Sequence, residues 1–245
     1  MAQIRHLDHA PIAEAVIELR VRPAGEIRLE TLHALAERWK VEYPVKETVN
    51  SLEAKLGIEA GTSRTETRVQ QIGLRLKTSD QREVVQFRSD AFAYSRLEPY
   101  TSWDDVLPRA NRVWNSYLDS LKPVKLVRLG VRYINRLRLP LPVDVEMYLS
   151  CPPAVPEMLP PAIKSFLTRT LFYDAEAGNS VTITQASEPS IDQNQLVILL
   201  DVDAFRGIDI DPDDSQIIPM LESLRELKNR AFFGSITERT AERYA

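Results

Sequence analysis

Lys125-Leu126-Val127-Arg128-Leu129-Gly130-Val131-Arg132-Tyr133-Ile134-Asn135-Arg136-Leu137-Arg138-Leu139 is the stretch that decides how this chain folds. Val127, Leu129, Val131 and Tyr133 recur at every second position, the period of a strand with one buried face. Parity slips near Ile134-Asn135, which predicts a β-bulge. Arg128 and Arg132 then project from the other face, and beyond the slip Arg136 and Arg138 rejoin them.

Working outward, the same alternation covers Pro11 to Arg22. Ala13, Ala15, Ile17, Leu19 and Val21 point one way; Glu14, Glu18, Arg20 and Arg22 point the other, with Val16 as the exception. Pro23-Ala24-Gly25 ends that strand. A helix follows, with Leu29, Leu32, Leu35, Ala36 and Trp39 on one stripe. The polar, weakly patterned stretch from Val45 to Thr67 predicts a short helix and then a loop. Residues 68–98 read as consecutive antiparallel strands, with a turn at Thr78-Ser79-Asp80-Gln81. At Thr101 a capping signal opens a long helix carrying Trp103, Leu107, Ala110, Trp114, Tyr117 and Leu121 on one stripe.

The second half repeats this order. Pro140, Pro142, Pro152, Pro153, Pro156, Pro160 and Pro161 leave room only for a short helix around Val143–Leu149. They mark the segment as an extended, partner-facing loop. Strands are expected near 180–187 and 195–204, then a helix from about Ser215 to Ala231 with the stripe Ile217, Leu221, Leu224, Leu227 and Ala231. The fold class expected is α+β, a mainly antiparallel sheet backed by two long helices, in one compact unit over 1–245. Aligning Asp90-Ala91-Phe92 with Asp203-Ala204-Phe205 also places Trp114 on Leu227 without a gap. Duplication would give pseudo-symmetric β-α-β-β-α halves, 1–122 and 123–245; chance similarity between short strings is the competing account.

Composition narrows the function classes. Hydrophobic residues make up 44% and charged residues 27% of the chain, which fits a folded globular protein and excludes fibrous and disordered classes. The single cysteine, Cys151, forbids an internal disulfide and fits a reducing compartment. No basic-then-apolar leader opens the sequence, and no apolar run reaches the ~20 residues that span a bilayer. A cytoplasmic protein with no membrane partner is expected. The formal charge of −4 opposes non-specific nucleic-acid binding, whose affinity comes from neutralising phosphates.

Four strings carry a family resemblance: His9-Ala10-Pro11-Ile12, Ser95-Arg96-Leu97-Glu98-Pro99-Tyr100-Thr101-Ser102-Trp103, Arg128-Leu129-Gly130-Val131-Arg132-Tyr133-Ile134-Asn135-Arg136 and Phe232-Phe233-Gly234-Ser235-Ile236-Thr237. They resemble a sporadically distributed bacterial family of uncharacterised proteins of similar length, with His9 standing where that family has Asn. The resemblance implies one full-length unit and no named activity. Patchy distribution associates such proteins with toxin or defence contexts, which suggests a partner protein.

The candidate binding residues are Arg128, Arg132, Asn135, Arg136 and Arg138. Four guanidiniums along one strand face offer planar forks that clamp phosphates or carboxylates, and Arg75, Lys77, Arg88 and Arg96 extend the set if their strands adjoin. The alternative is a ladder of cross-strand ion pairs with Glu14, Glu18, Asp201 or Asp203, each worth about 0.2–1 kcal/mol. The acidic run from Asp201 to Asp214 fails as a calcium loop, because Asp214 falls where Gly is required and Met220 where Glu is required. Asp201, Asp203 and Glu14 would have to converge for two-metal chemistry. His6 and His9, three residues apart, could chelate a metal only in a helix, which Pro11 and the polar N-terminus oppose; His33 adjoins the apolar stripe of the first helix and reads as a packed side chain. Cys151 lacks an activating neighbour, and no cofactor is expected. The function favoured is a non-catalytic binding or regulatory protein recognising a partner protein or an anionic ligand. The alternatives are a metal-dependent phosphodiesterase or nuclease, and a nucleic-acid-binding sheet that stacks bases on Phe87, Phe92 or Tyr94.

Overall fold

A computed structural model describes the chain except residues 60–61, 159–162 and 193, and gives only the backbone course over 52–68. The elements are β1 (Ile12–Arg22), α1 (Leu29–Arg38), β2 (Val45–Glu59), β3 (Thr62–Lys77), β4 (Glu83–Arg88), β5 (Ala91–Leu97) and α2 (Trp103–Leu121). Next come β6 (Lys125–Pro140), a 3-10 turn (Val145–Met147), β7 (Leu167–Asp174), β8 (Asn179–Glu188), β9 (Gln195–Ile210), α3 (Ile217–Ser235) and α4 (Glu238–Glu242). Among the described residues nine strands form one sheet in the order β2-β3-β4-β5-β1-β6-β9-β8-β7. Every neighbouring pair is antiparallel. The two strands with the clearest alternation in the sequence, β1 and β6, lie side by side at its centre.

That alternation sorts the sheet into two faces. Ala15, Ile17 and Leu19 on β1, Leu129, Val131 and Tyr133 on β6, and Leu200, Val202 and Ala204 on β9 are all buried. α2 packs on this inner face through Trp114 against Phe92, ring centroids 5.6 Å apart. Tyr117 stacks on Trp114 at 5.3 Å and donates its hydroxyl to Arg88 O at 2.9 Å. Such aromatic pairs add ~0.5–1.5 kcal/mol each beyond the area they bury. Further along the sheet α3 covers β6 and β9, with Leu221 and Leu224 buried beneath it. Phe87, Phe92 and Tyr94 are fully buried in this core, so the base-stacking role expected of them is withdrawn.

Several expectations are corrected. The stretch from Val45 to Thr67 is a long hairpin, β2 with β3, in place of a short helix and loop. Its weak pattern hid a strand stabilised by cross-strand pairing, a property of the neighbour more than of the segment. β7 was missed altogether; an edge strand exposed on both sides carries no two-fold pattern. The helix cap is Ser102, whose Oγ accepts from Asp105 N at 3.1 Å, one residue after Thr101.

The slip expected at Ile134-Asn135 is also misplaced. In β6, Leu129, Val131, Tyr133, Asn135, Leu137 and Leu139 are all buried, so parity runs unbroken from Arg128 to Arg138. The irregularity at that level belongs to β1: Ile12 pairs with Asn135 and Glu14 with Ile134, leaving Ala13 as the extra residue. β6 has its own extra residue at Val127, between the pairs Arg20–Arg128 and Val21–Leu126. The matched Asp-Ala-Phe strings are not equivalent either. Asp90 precedes β5 in a turn, whereas Asp203 sits inside β9.

Candidate functional site

The four arginines of β6 share the outer face of the sheet, and each has an acid within reach. Arg128 bonds Glu18 and holds Asp203 at 3.1 Å. Arg132 grips Asp201 in a fork, Nε to Oδ1 at 2.8 Å and Nη2 to Oδ2 at 2.7 Å. Arg136 meets Glu188 at 2.8 Å, and Arg138 lies 4.0 Å from Glu98. Burial pushes the Asp203 carboxyl above its ordinary range even though Arg128 and Arg132 pull it down. This half-buried lattice therefore carries a desolvation cost as well as a Coulombic gain. The further cations are paired too: Arg75 and Lys77 with Glu47, Arg88 with Asp90, and Arg96 with Glu83.

Asn135 does not join that row. Its odd position turns it to the inner face, where it is 1% exposed and its Nδ2 donates to Leu200 O at 2.9 Å and Tyr133 O at 3.2 Å. There it lines an open cleft of about 860 Å³ between the segment before β1, the approach to α2, and α3. All four strings of the family resemblance contribute to this cleft: His9–Ile12, Glu98–Trp103, Tyr133 with Asn135, and Phe232 with Phe233. The segment before β1 is held there by Ala2 N donating to Ile236 O at 3.0 Å and His9 N donating to Tyr244 O at 3.0 Å.

Lys228 of α3 faces the cleft and is 6% exposed. Its Nζ lies 3.6 Å from the centre of the Tyr133 ring and donates to Asn229 Oδ1 at 2.5 Å. The Tyr133 hydroxyl in turn bonds the Tyr100 hydroxyl at 2.7 Å. Among the described residues no carboxylate lies within 4.0 Å of this ammonium, in contrast to every arginine of the row. Burial pushes its pKa down to about 7, and the neighbouring Arg225 guanidinium adds to the fall. Arg225 is anchored by Glu222 at 3.3 Å and lies over the Trp103 ring at 5.6 Å; Glu222 also accepts from Trp103 Nε1 at 2.6 Å. The capped N-terminus of α2, Ser102 to Asp104, opens on the same space.

The remaining candidates separate. Asp201 and Asp203 are each engaged by an arginine, and among the described residues no three His, Cys, Asp or Glu side chains converge on a metal-sized space. His6 and His9 line the cleft in a non-helical segment, with His6 3.5 Å from Asp8. Cys151 is free and exposed. Pro160 and Pro161 lie outside the described residues. No described helix is long and apolar enough to cross a membrane. Lys228 escaped the sequence reading because one lysine beside an apolar helical stripe looks like any solvated lysine. The available signal was its position one residue after Leu227, within the buried stripe. The sequence matches no protein-family model and no curated protein.

Proposed function

We propose that the protein is a non-catalytic binding protein whose ligand is a small molecule bearing a carboxylate or phosphate, held in the cleft by Lys228 and Arg225. The observation that carries this reading is a buried lysine that has no counter-ion among the described residues and lines a cleft of about 860 Å³. An ammonium removed from water without a partner costs several kcal/mol, and an anionic ligand supplies the missing charge. The Arg225 guanidinium, which also lines the cleft, favours negative charge beside Lys228. Asp8, Glu98 and Asp104 also border the cleft, and they restrict the anion to the Lys228 end. A cytoplasmic setting belongs to the same proposal, supported by the unpaired Cys151.

The test is thermal melting with inorganic phosphate, sulfate and a series of mono-, di- and tricarboxylates, on the wild type and Lys228→Met. One of these anions should raise the wild-type melting temperature and leave the variant unmoved. Because the anion restores the ordinary lysine pKa, binding at pH 8 should take up a proton. Calorimetry in buffers of different ionisation enthalpy reads that uptake. A wild type indifferent to every anion, or a variant that responds equally, overturns the reading. An adduct trapped on Lys228 by borohydride with a 2-oxo acid would replace it with Schiff-base chemistry.

Two related halves form a finer part of the proposal. Reading outward from the β1–β6 pair, the sheet runs β5-β4-β3-β2 on one side and β9-β8-β7 on the other, and each half contains a 19-residue helix after its last strand, α2 and α3. This arrangement supports a pseudo-twofold axis between β1 and β6, in a register other than the Asp-Ala-Phe match.

A further inference from the structure

β7 ends the sheet, and among the described residues only β8 pairs with it. Ser187 N donates to Phe166 O at 3.1 Å, in the register that sets Leu167 opposite Ala186. Backbone groups in an antiparallel ladder face the neighbour at alternate residues. The even residues of β7 therefore bond β8, while Leu167, Arg169, Leu171 and Tyr173 turn their amides and carbonyls to the open edge.

Strand edges are ordinarily guarded by proline, bulges or rows of charge. β7 contains no proline, its register with β8 is unbroken, and Arg169 is the only charged residue before its last position. Leu167, Leu171, Phe172 and Tyr173 are 72%, 63%, 51% and 68% exposed. The opposite edge strand, β2, carries Lys46, Glu47, Glu53, Lys55 and Glu59 in its sequence.

We propose that β7 pairs antiparallel with β7 of a second copy, with Leu171 on the twofold axis. A symmetric interface requires a surface that complements itself, and this strand carries both parts of its own complement. Arg169 and Tyr173 share a face and stand two residues to either side of Leu171. Pairing centred there sets each guanidinium against the partner ring, an attractive cation–π arrangement. Leu171 meets its own copy, and Thr170 lies opposite Phe172. Asp174 is already held by Arg230 at 3.6 Å. Centring on Arg169 instead would oppose two guanidiniums directly, which disfavours that register. The outcome is one sheet continuous through both copies.

Sedimentation of the full chain should show a concentration-dependent dimer. Leu171→Glu should convert it to a monomer with an unchanged circular dichroism spectrum. In a Cys151→Ser background, Leu171→Cys should give a covalent dimer with a short bismaleimide, since paired Cα atoms at the axis lie about 5.5 Å apart. Val41→Cys, more exposed at 92% and remote on the α1–β2 connection, should not. If Leu171→Glu fails to fold, the cross-link still decides. A wild type monomeric at every concentration, a dimer that persists in Leu171→Glu, or cross-linking at position 41 in place of 171 overturns the proposal. Stoichiometric capture of a different chain at β7 without self-association also overturns it.

Discussion

Arg128 and Lys228 lie on opposite faces of one sheet, both largely withdrawn from water, and they differ in company. Arg128 is 19% exposed and touches two carboxylates, Glu18 and Asp203. Lys228 is 6% exposed, and its nearest polar contact is the neutral amide of Asn229. Four aligned arginines are conspicuous in a sequence, yet the fold sets an acid within 4.0 Å of each one. The lysine is inconspicuous, and among the described residues no carboxylate answers its charge. A run of cations marks a ligand site only where the structure withholds the anions, because a satisfied ion pair has little free energy left to offer a newcomer.

Substitutions graded by burial and partnership test this contrast. Lys228→Met should have the largest effect and should stabilise. Folding lowers the Lys228 pKa from 10.5 to about 7, so between those values the unfolded chain binds the extra proton and wild-type stability rises with pH. Below pH 7 the full penalty applies. Each pKa unit corresponds to ~1.4 kcal/mol, so the variant should gain roughly 3–5 kcal/mol at pH 6 and lose most of the rise toward pH 10. Urea unfolding at both pH values measures it. Equal stability of variant and wild type at pH 6 would show that the amine carries no buried charge.

Arg128→Gln acts in the other direction, leaving Glu18 and Asp203 without their cation. A loss of about 2 kcal/mol is expected by chemical denaturation, below the value for a fully buried pair because all three groups keep some water. Arg132→Gln, combined with Arg136→Gln, should cost about 1 kcal/mol per site, these guanidiniums being nearly half exposed. Both should leave any anion-induced shift in melting intact; loss of that shift with unchanged stability would return the site to the outer face. Arg138→Gln should change stability by less than ~0.5 kcal/mol, since Glu98 is 4.0 Å away and both side chains are more than half exposed.

Much of this was legible in the chain itself. Alternation over Ile12–Arg22 and along β6 gave the two central strands, and the stripe from Trp103 to Leu121 gave α2, because burial on one face imposes a period on the residues. The even spacing of Arg128, Arg132, Arg136 and Arg138 already placed them together on one face without any slip. Of the four acids expected opposite them, Glu18, Asp201 and Asp203 pair with the row, while among the described residues Glu14 pairs with none of it and Glu188 and Glu98 take the outer positions. The hairpin of β2 and β3 and the edge strand β7 were not legible, since what holds them is a neighbour and not a pattern of their own.

The sequence by itself determined which residues seek burial and which faces carry charge, since side-chain chemistry and the period of the backbone are local properties. Only the tertiary structure decided which charges meet. Glu18 and Arg128 are far apart in sequence, as are Lys228 and Tyr133, and strand order together with helix docking gives Arg128 two anions and Lys228 an aromatic face. The physical reason is that desolvation and pairing depend on the whole neighbourhood in space, which no local window of the sequence contains.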